Sequence, residues 1–306
     1  MNEPIIELRL WRQFVAVAEA LHFGQAARRL HMTQPPLTQA IALLERSLGV
    51  RLFDRTKRSV VLTAAGAALL PQARDLLARA QALPQHARAA AAGEVGRLRL
   101  AFVSTVGFAQ LPGWVRAFRG HSPGVALELI EATGDVQLQL LARGEIDAGF
   151  MLHSPGFAPQ GLRHTLIARE PLVLALADHH PLAAAAPLSL ARVLAEPLVI
   201  FPRRIVPSLH DAIFGLYHAA GRSPQIAQEA IQMQTIVNLV SAGLGVAWVP
   251  DSVRQFQRPG VVYRCISGPR GKAVPACETS LVWDAGREHP VLQRFAGFVA
   301  EQLAGA

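Results

Sequence analysis

The chain of 306 residues carries 30 Lys and Arg against 22 Asp and Glu, a net charge of +8, and is 51% hydrophobic and 17% charged. That composition excludes a disordered chain, leaves enough apolar residues for two or three packed domains, and favours a polyanion as partner. Two cysteines, Cys265 and Cys277, exclude a disulfide scaffold and are expected as free thiols, while the acids in MNEPIIELRLWRQF and the lack of an apolar run of about 18 residues argue against a signal peptide and a membrane span, so a cytoplasmic protein is expected.

Residues 8–21 place Leu8, Trp11, Phe14, Val15, Ala18 and Leu21 on one helical face. His22-Phe23-Gly24 breaks that helix. Residues 25–31 form a second, short one with Ala26, Ala27 and Leu30 inward and Arg28 and Arg29 outward. The two alanines are small where helices must cross closely. Met32-Thr33 is a tight turn, and a third helix follows over TQPPLTQAIALLERSL, residues 33–48. Thr33 is a suitable N-cap, and Pro35 and Pro36 fall in the first turn, where a missing N–H costs little. Leu37, Ile41, Leu44 and Leu48 share the apolar face, and Pro35, Thr38, Gln39, Ala42 and Arg46 lie opposite. Helix, short helix, tight turn, helix is a helix-turn-helix, whose last helix enters a DNA groove. Small side chains there allow close approach, and Gln and Thr hydrogen-bond base edges or phosphates.

Gly49 ends the third helix. The stretch VRLFDRTKRSVVL then reads as two short strands, 50–53 and 59–62, with residues 54–58 as the tip of a wing. Between Gly24 and Leu62, seven basic residues face two acids, and Arg55, Lys57 and Arg58 at the tip suit a grip on phosphate backbone. Thr63 caps a long helix to about Ala92, in which Leu69, Ala73, Leu76, Ala80, Leu83 and Ala87 alternate steps of four and three, as in a coiled-coil seam. That seam pairs with a second copy or packs on its own chain. Pro71 and Pro84 are expected to kink it. Gly93–Gly96 marks a domain boundary.

Beyond residue 97 the pattern becomes α/β. A strand (98–103), a helix from Ser104 to about Arg119, a strand (125–131), a helix (133–143) and a strand (146–152) alternate as in a parallel sheet. A second unit follows with strands at 172–177, 198–201, 225–230 and 246–249 and helices at 208–220 and 233–242. A strand (279–283) and a helix (290–303) are expected to return to the first half. Two α/β halves joined by crossing strands enclose a cleft.

The whole chain resembles the LysR-type transcriptional regulators. The resemblance is carried by the N-terminal block LRLWRQFVAVAEALHFGQAARRLHMTQPPLTQAIALLERSLGVRLFDRTKRSVVLTAAG and supported by GEIDAGF (144–150) and LVSAGLGVAWVP (239–250). TQPPLTQ and IFPRR (200–204) are similar to the subgroup that senses aromatic-pathway intermediates such as muconates. The resemblance implies an α+β multidomain chain. Residues 1–62 would be a winged helix-turn-helix and 63–93 a dimerising linker helix. Residues 94–306 would be a two-lobed α/β domain of periplasmic-binding-protein-like fold, with lobes at about 94–168 with 269–306 and at 169–268. It implies double-stranded promoter DNA with two-fold symmetry, a small-molecule coinducer between the lobes, a homodimer or homotetramer, contact with RNA polymerase, and no cofactor. The family's DNA contacts fall on Thr33, Gln34, Pro35, Pro36, Thr38 and Gln39, with Arg55, Lys57 and Arg58 in the wing. Its effector contacts fall on Ser104, Thr105, Thr133, Phe201, Pro202 and Arg203.

The effector positions also have a physical reading. Ser104-Thr105 and Thr133 lie where a strand's carboxyl end meets a helix, where free N–H groups favour an anion, although plain helix capping is the alternative. Arg203 or Arg204 would offer a charge from the opposite lobe. Muconate-type members often carry an arginine shortly after the IDAGF strand. Here Leu152 and His153 follow, a fixed positive charge is lost, and a monocarboxylate or a less charged aromatic becomes as good a candidate as a dicarboxylate. An α/β enzyme or a solute-binding protein carrying an N-terminal helical domain are the competing readings. No GxSxG, Walker, HExxH or CxxC motif favours the enzyme, and the helix-turn-helix disfavours a solute-binding protein.

Overall fold

The computed structural model describes residues 5–56, 59–266 and 274–305, so Lys57 and Arg58 lie outside the described residues. The chain divides into two compact units, Met1–Arg88 and Ala89–Ala306.

In the first unit, α1 (Leu8–Ala20), α2 (Phe23–Arg29) and α3 (Gln34–Leu48) form the helix-turn-helix. Leu37, Ile41 and Leu44 are fully buried with Phe14, Val17, Ala26, Leu52 and Phe53, so the apolar stripe of α3 is the floor on which the helix sits. Burial of each such large side chain stabilises by about 1.5–3 kcal/mol. Phe53 joins the helices to the wing, its ring 5.6 Å from Phe14 and 6.0 Å from Phe23. The break after α1 falls on Leu21, at a left-handed φ of 45°, and the His22 ring accepts the Gln25 N–H to start α2. Phe23 and Gly24 therefore belong to the second helix rather than to the break.

The wing strands are β1 (Phe53–Arg55) and β2 (Val60–Leu62), paired antiparallel with Phe53 opposite Leu62. The first begins three residues later than the sequence pattern suggests, because the Leu52 and Phe53 N–H groups turn instead to Glu45 on α3. Thr63 caps α4 (Ala64–Ala91), its hydroxyl accepting from Gly66 N–H. A Cβ at Gly66 would collide with the Leu52 carbonyl, which is why the helix start takes a glycine there. The helix runs through Pro71 and Pro84. Its seam is buried at Ala73, then opens to solvent, Leu76 being 41% and Leu83 65% exposed.

In the second unit, β3 (Val95–Phe102) pairs in parallel with β4 (Gly124–Glu131) and β5 (Ala148–His153). The expected parallel arrangement ends there. β11 (Ala276–Trp283) runs against both β5 and β6 (Arg163–Ala177), since it returns from the far lobe and enters the sheet in the opposite direction. The order is β10-β6-β11-β5-β3-β4, with β9 (Ala247–Pro250) and β10 (Val261–Arg264) antiparallel to the far half of β6. β6 and β11 thus cross between two lobes. One lobe packs Leu98, Leu100, Phe118, Phe150, Leu292 and Phe295 between the sheet and the helices α6 (Leu111–His121) and α11 (Pro290–Ala304). The other packs Leu174, Val199, Ile213, Tyr217, Val237 and Trp248 around β7 (Leu198–Ile200), β8 (Ile226–Glu229), α9 (Pro207–Ala219) and α10 (Met233–Ser241). The single helix expected from Ser104 to Arg119 is two, α5 (Ser104–Phe108) and α6. Pro112 lacks the N–H that would continue a helix, so it stands in the first turn of α6 instead. Helix α7 (Gly134–Arg143) follows β4, and a one-turn helix α8 (Leu190–Val193) precedes β7.

Among the described residues no helix is long and apolar enough to cross a membrane, and no His, Cys, Asp and Glu cluster is arranged to hold a metal ion.

Candidate functional site

The outer face of α3 is open. Thr33, Gln34, Pro35, Pro36 and Gln39 are exposed and Thr38 is half-buried. Thr33 has the extended backbone of an N-cap (φ −81°, ψ 159°), but its side chain makes no capping hydrogen bond, so hydroxyl and helix end both face outward. Thr38 Oγ1 donates to the Gln34 carbonyl at 3.1 Å, which leaves its lone pairs and methyl group outward. Gln34 lines a groove with His22, Gly24, Thr56 and Ser59, between the start of α3 and the wing. Arg46 on the same helix is exposed beside Pro36 and Gln39, and Arg28, Arg29 and Arg51 are exposed elsewhere in the unit.

Arg55 is not the free tip charge that its sequence position suggests. Its guanidinium donates to Glu45 Oε2 at 3.1 Å and lies 4.6 Å from the centroid of the Phe23 ring. The physical reason is that Glu45 projects from the inner edge of α3 toward the wing. Its other oxygen takes the Leu52 N–H at 2.9 Å and the Phe53 N–H at 3.2 Å. Glu45 therefore fixes the wing to the recognition helix. Sequence reading saw Glu45 only as an acid on a basic surface. Its partners lie seven and more residues away, so no helical or strand period reports them.

In the second unit a narrow cleft opens between the lobes. It is lined from one lobe by Val103, Ser104, Thr105, Ala132, Thr133 and Leu152, and from the other by Phe201, Ile205, Val206, Ile231, Gln232 and Met233. Four of the six residues expected at an effector site meet here: Ser104, Thr105, Thr133 and Phe201. Pro202 and Arg203 do not line the cleft. Arg203 is exposed and forked onto Asp211, both bonds 2.7 Å, so its charge is met on its own lobe. The fork raises the Arg203 pKa and holds the Asp211 carboxyl below the usual carboxylate range. Arg204, 4.0 Å from Asp135 of the opposite lobe, lines with Asp135 and Asp211 the adjoining cavity that shares Leu152, Ile205 and Val206 with the cleft.

Neither hydroxyl at the start of α5 serves as a helix cap, since Val103 occupies the N-cap position. Thr133 is the N-cap of α7, yet its hydroxyl donates to Asp135 instead of receiving an α7 N–H. Leu152 lines the cleft, and the largely buried His153 lines an adjoining cavity that shares Leu152, Ile205 and Val206 with it, Nδ1 donating to the Ser154 carbonyl at 2.8 Å and Nε2 3.0 Å from Ser280 Oγ. Gln232, Met233 and Ile205 were missed from sequence. The signal for Gln232 was present, because the start of α10 follows the carboxyl end of β8 just as Ser104 follows β3.

Residues 8–67 match the bacterial regulatory helix-turn-helix protein, lysR family, and residues 91–304 match the LysR substrate binding domain. The chain is 45% identical over 297 residues to the HTH-type transcriptional regulator IlvR of Caulobacter vibrioides, covering 97% of this chain and 98% of that one. It is 35% identical over 294 residues to the regulator TcbR of Pseudomonas sp. strain P51, covering 96% and 98%. Among solved structures it is similar to CbnR, a LysR family transcriptional regulator, at 35% identity and a TM-score of 0.75 over 96% of this chain and all of that one. Full-length CbnR complexed with its target DNA matches at 34% identity and a TM-score of 0.78, over 97% of this chain and 100% of that one. With both of its units matched in order and relatives aligned over nearly its full length, the chain belongs to the LysR family of transcriptional regulators.

Proposed function

We propose that this regulator reads promoter DNA through the exposed start of α3 and responds to a small acid held in the interlobe cleft. Thr33, Gln34, Pro35, Pro36, Thr38 and Gln39 face the bases and adjacent phosphates. Lys57 and Arg58 grip the backbone, and Arg55 holds the wing in place beside them. Ser104, Thr105, Thr133 and Phe201 contact the effector. The partition follows the sequence reading, with residues 1–62 as the DNA-binding domain, 63–93 as the dimerising linker and 94–306 as the effector domain. The exposed Leu76 and Leu83 on α4 support pairing with a second copy. Two recognition helices then face half-sites of a two-fold symmetric site in successive major grooves. Effector binding shifts the closure of the lobes and the arrangement of the homodimer or homotetramer, and with it the access of RNA polymerase. The protein acts in the cytoplasm, and its thiols at Cys265 and Cys277 are free.

The observation that carries this reading is an α3 whose Thr33, Gln34, Gln39 and Arg46 are exposed while Leu37, Ile41 and Leu44 on its opposite face are fully buried. Footprinting of the DNA upstream of the gene, at two salt concentrations and with a panel of small acids, tests it. A two-fold symmetric protected site that shortens or shifts with one acid is the expected result. Protection that no acid alters would remove the effector reading, and weak, salt-labile binding without a defined site would remove the DNA reading.

A further inference from the structure

The helix α3 is about as thick as the groove it is read to enter. An α-helix with its side chains is about 10–12 Å across, and the major groove of B-DNA is about 12 Å wide. A helix seated there has phosphate backbone along both of its flanks. One flank of α3 carries Glu45, which holds the wing. At about 100° per residue, Pro36, Ala40 and Leu43 fall on the opposite side of the helix. These three line a second groove, whose other wall is the start of α1 with Glu7, Arg9 and Gln13. Gln39 and Arg46 of α3 line it as well, so the groove is continuous with the face that is read to meet the bases.

The cations of this groove are not spent within the protein. Arg9 and Arg46 are exposed, and neither has an ion-pair or side-chain hydrogen-bond partner among the described residues. Elsewhere in the unit Arg55 is met by Glu45 and Arg74 by Glu19. The acid that shares the groove, Glu7, is the N-cap residue of α1 and makes no side-chain capping bond. Two cations against one acid leave the described lining positive. Gln13 adds a second observation. It is only 4% exposed, its Oε1 has no hydrogen-bond partner among the described residues, and its Nε2 has only Met32 Sδ at 3.7 Å. A buried amide so poorly met is a cost, and turned over it presents a donor to an anion in the groove.

Resting on the reading of α3 as the helix that enters DNA, we propose that Arg9 and Arg46 grip the phosphate backbone on the flank of α3 opposite the wing. The recognition helix is then held from both sides, by the wing on one strand and by this groove on the other. Neither arginine reads a base, so the grip adds affinity on all sequences alike.

The test is a salt titration of the full-length protein on a duplex carrying the site protected in the upstream DNA. Arg9→Ala and Arg46→Ala are each expected to lower the slope of log affinity against log salt by about 0.9, and the double variant by about twice that. Arg119→Ala, which removes the same charge from an exposed position on α6 of the other unit, is expected to leave the slope unchanged. Glu7→Gln is expected to tighten binding about twofold, a gain that a merely structural role would not give. Melting curves show that the variants remain folded. Ethylation of single phosphates then locates the grip. The phosphates whose ethylation no longer matters to Arg46→Ala are expected to be a different set from those lost in Arg58→Ala. Slopes unchanged in both arginine variants, or the same phosphates lost as in Arg58→Ala, overturn the inference and leave the DNA reading standing. Unchanged slopes with a fall in transcription by purified RNA polymerase also overturn it, and give the groove to a protein partner. A wild-type protein that protects no site overturns the DNA reading itself.

Discussion

Helix N-termini occur at both ends of this protein's work, and they are dressed differently. At the start of α3, Thr33 makes no side-chain capping bond on an exposed surface, in a unit whose Arg28, Arg29, Arg46 and Arg51 are also exposed. In the interlobe cleft, the N-cap residues Thr133 and Gln232 make no side-chain capping bond either, but they stand among the mostly apolar residues that line it. An exposed end facing a polyanion gains from many mobile charges acting at long range, and it loses that gain as salt rises. A buried end facing a single small anion gains from a few fixed donors at short range, where salt hardly penetrates. On the proposed reading, the same backbone device would serve a salt-steered surface in one unit and a salt-indifferent pocket in the other. Raising salt from 50 to 200 mM is expected to weaken DNA binding steeply, by orders of magnitude, and to leave effector affinity within about twofold.

The DNA side of that contrast breaks most completely from underneath. Ile41 is fully buried beneath the reading face. Ile41→Ala is expected to cost about 2–5 kcal/mol and to lower the unfolding transition of the helix-turn-helix unit, followed by calorimetry, while the effector-domain transition stays in place. Retention of both transitions would mean that α3 is not seated on this core. Glu45 comes next. Glu45→Ala removes an acceptor shared by two backbone N–H groups and Arg55, at about 1.5–3 kcal/mol for hydrogen bonds to a charged group. DNA affinity is expected to fall in spite of the more positive surface. A rise in affinity would show that charge outweighs wing placement.

The effector side is sharpened by pH. Asp147, in the lobe built on β3, holds Arg99 through Oδ1 at 2.6 Å and takes its backbone N–H at 2.7 Å. Burial pushes this carboxyl up, and the hydrogen bonds from Arg99 outweigh it, so it stands below the usual carboxylate range. A depressed folded pKa contributes stability that is present above the unfolded value, near 4, and is lost as pH falls through the folded one. Asp147→Asn is expected to lower stability at pH 7 by about 1–3 kcal/mol and to flatten the loss of stability as pH falls below the ordinary carboxylate range. An unchanged acid limb in denaturant melts would exclude this pair as its source.

What sequence made legible follows the same division. The helix-turn-helix is one contiguous run, so the stripe of Leu37, Ile41 and Leu44, the small Ala26 and Ala27 and the terminal Gly49 each announce a local geometry. The cleft is gathered from segments around residues 104, 133, 152, 205 and 232, and only those repeating the strand-to-helix logic, Ser104 and Thr133, were readable by physics alone. Ile205 carries no such mark, since its place depends on how the loop after β7 packs. The direction of β11 was hidden as well, because periodicity shows that a strand exists but not which way it enters a sheet. Arg203 and Arg55 were misread for one shared reason. Each reads as a free charge in sequence, and each is met by an acid, Asp211 eight residues on and Glu45 ten residues back, that the fold brings alongside.

Arg55 gives the smallest and most discriminating change. Its pair with Glu45 is partly exposed, with side-chain exposures of 33% and 14%, so removing it is expected to cost no more than about 1 kcal/mol. Were Arg55 a phosphate grip, Arg55→Ala would lower the slope of log affinity against log salt by about 0.9 and Arg55→Lys would restore it. As a pin between Glu45 and the Phe23 ring, it needs the planar fork, which lysine lacks. Both substitutions are then expected to weaken DNA binding alike, two- to threefold by the small stability change, with the salt slope altered by well under 0.9. Arg58→Ala in the same titration supplies the contrast, a loss of about 0.9 in slope across all sequences. A full unit lost at Arg55 and recovered by lysine would return that residue to the phosphate backbone.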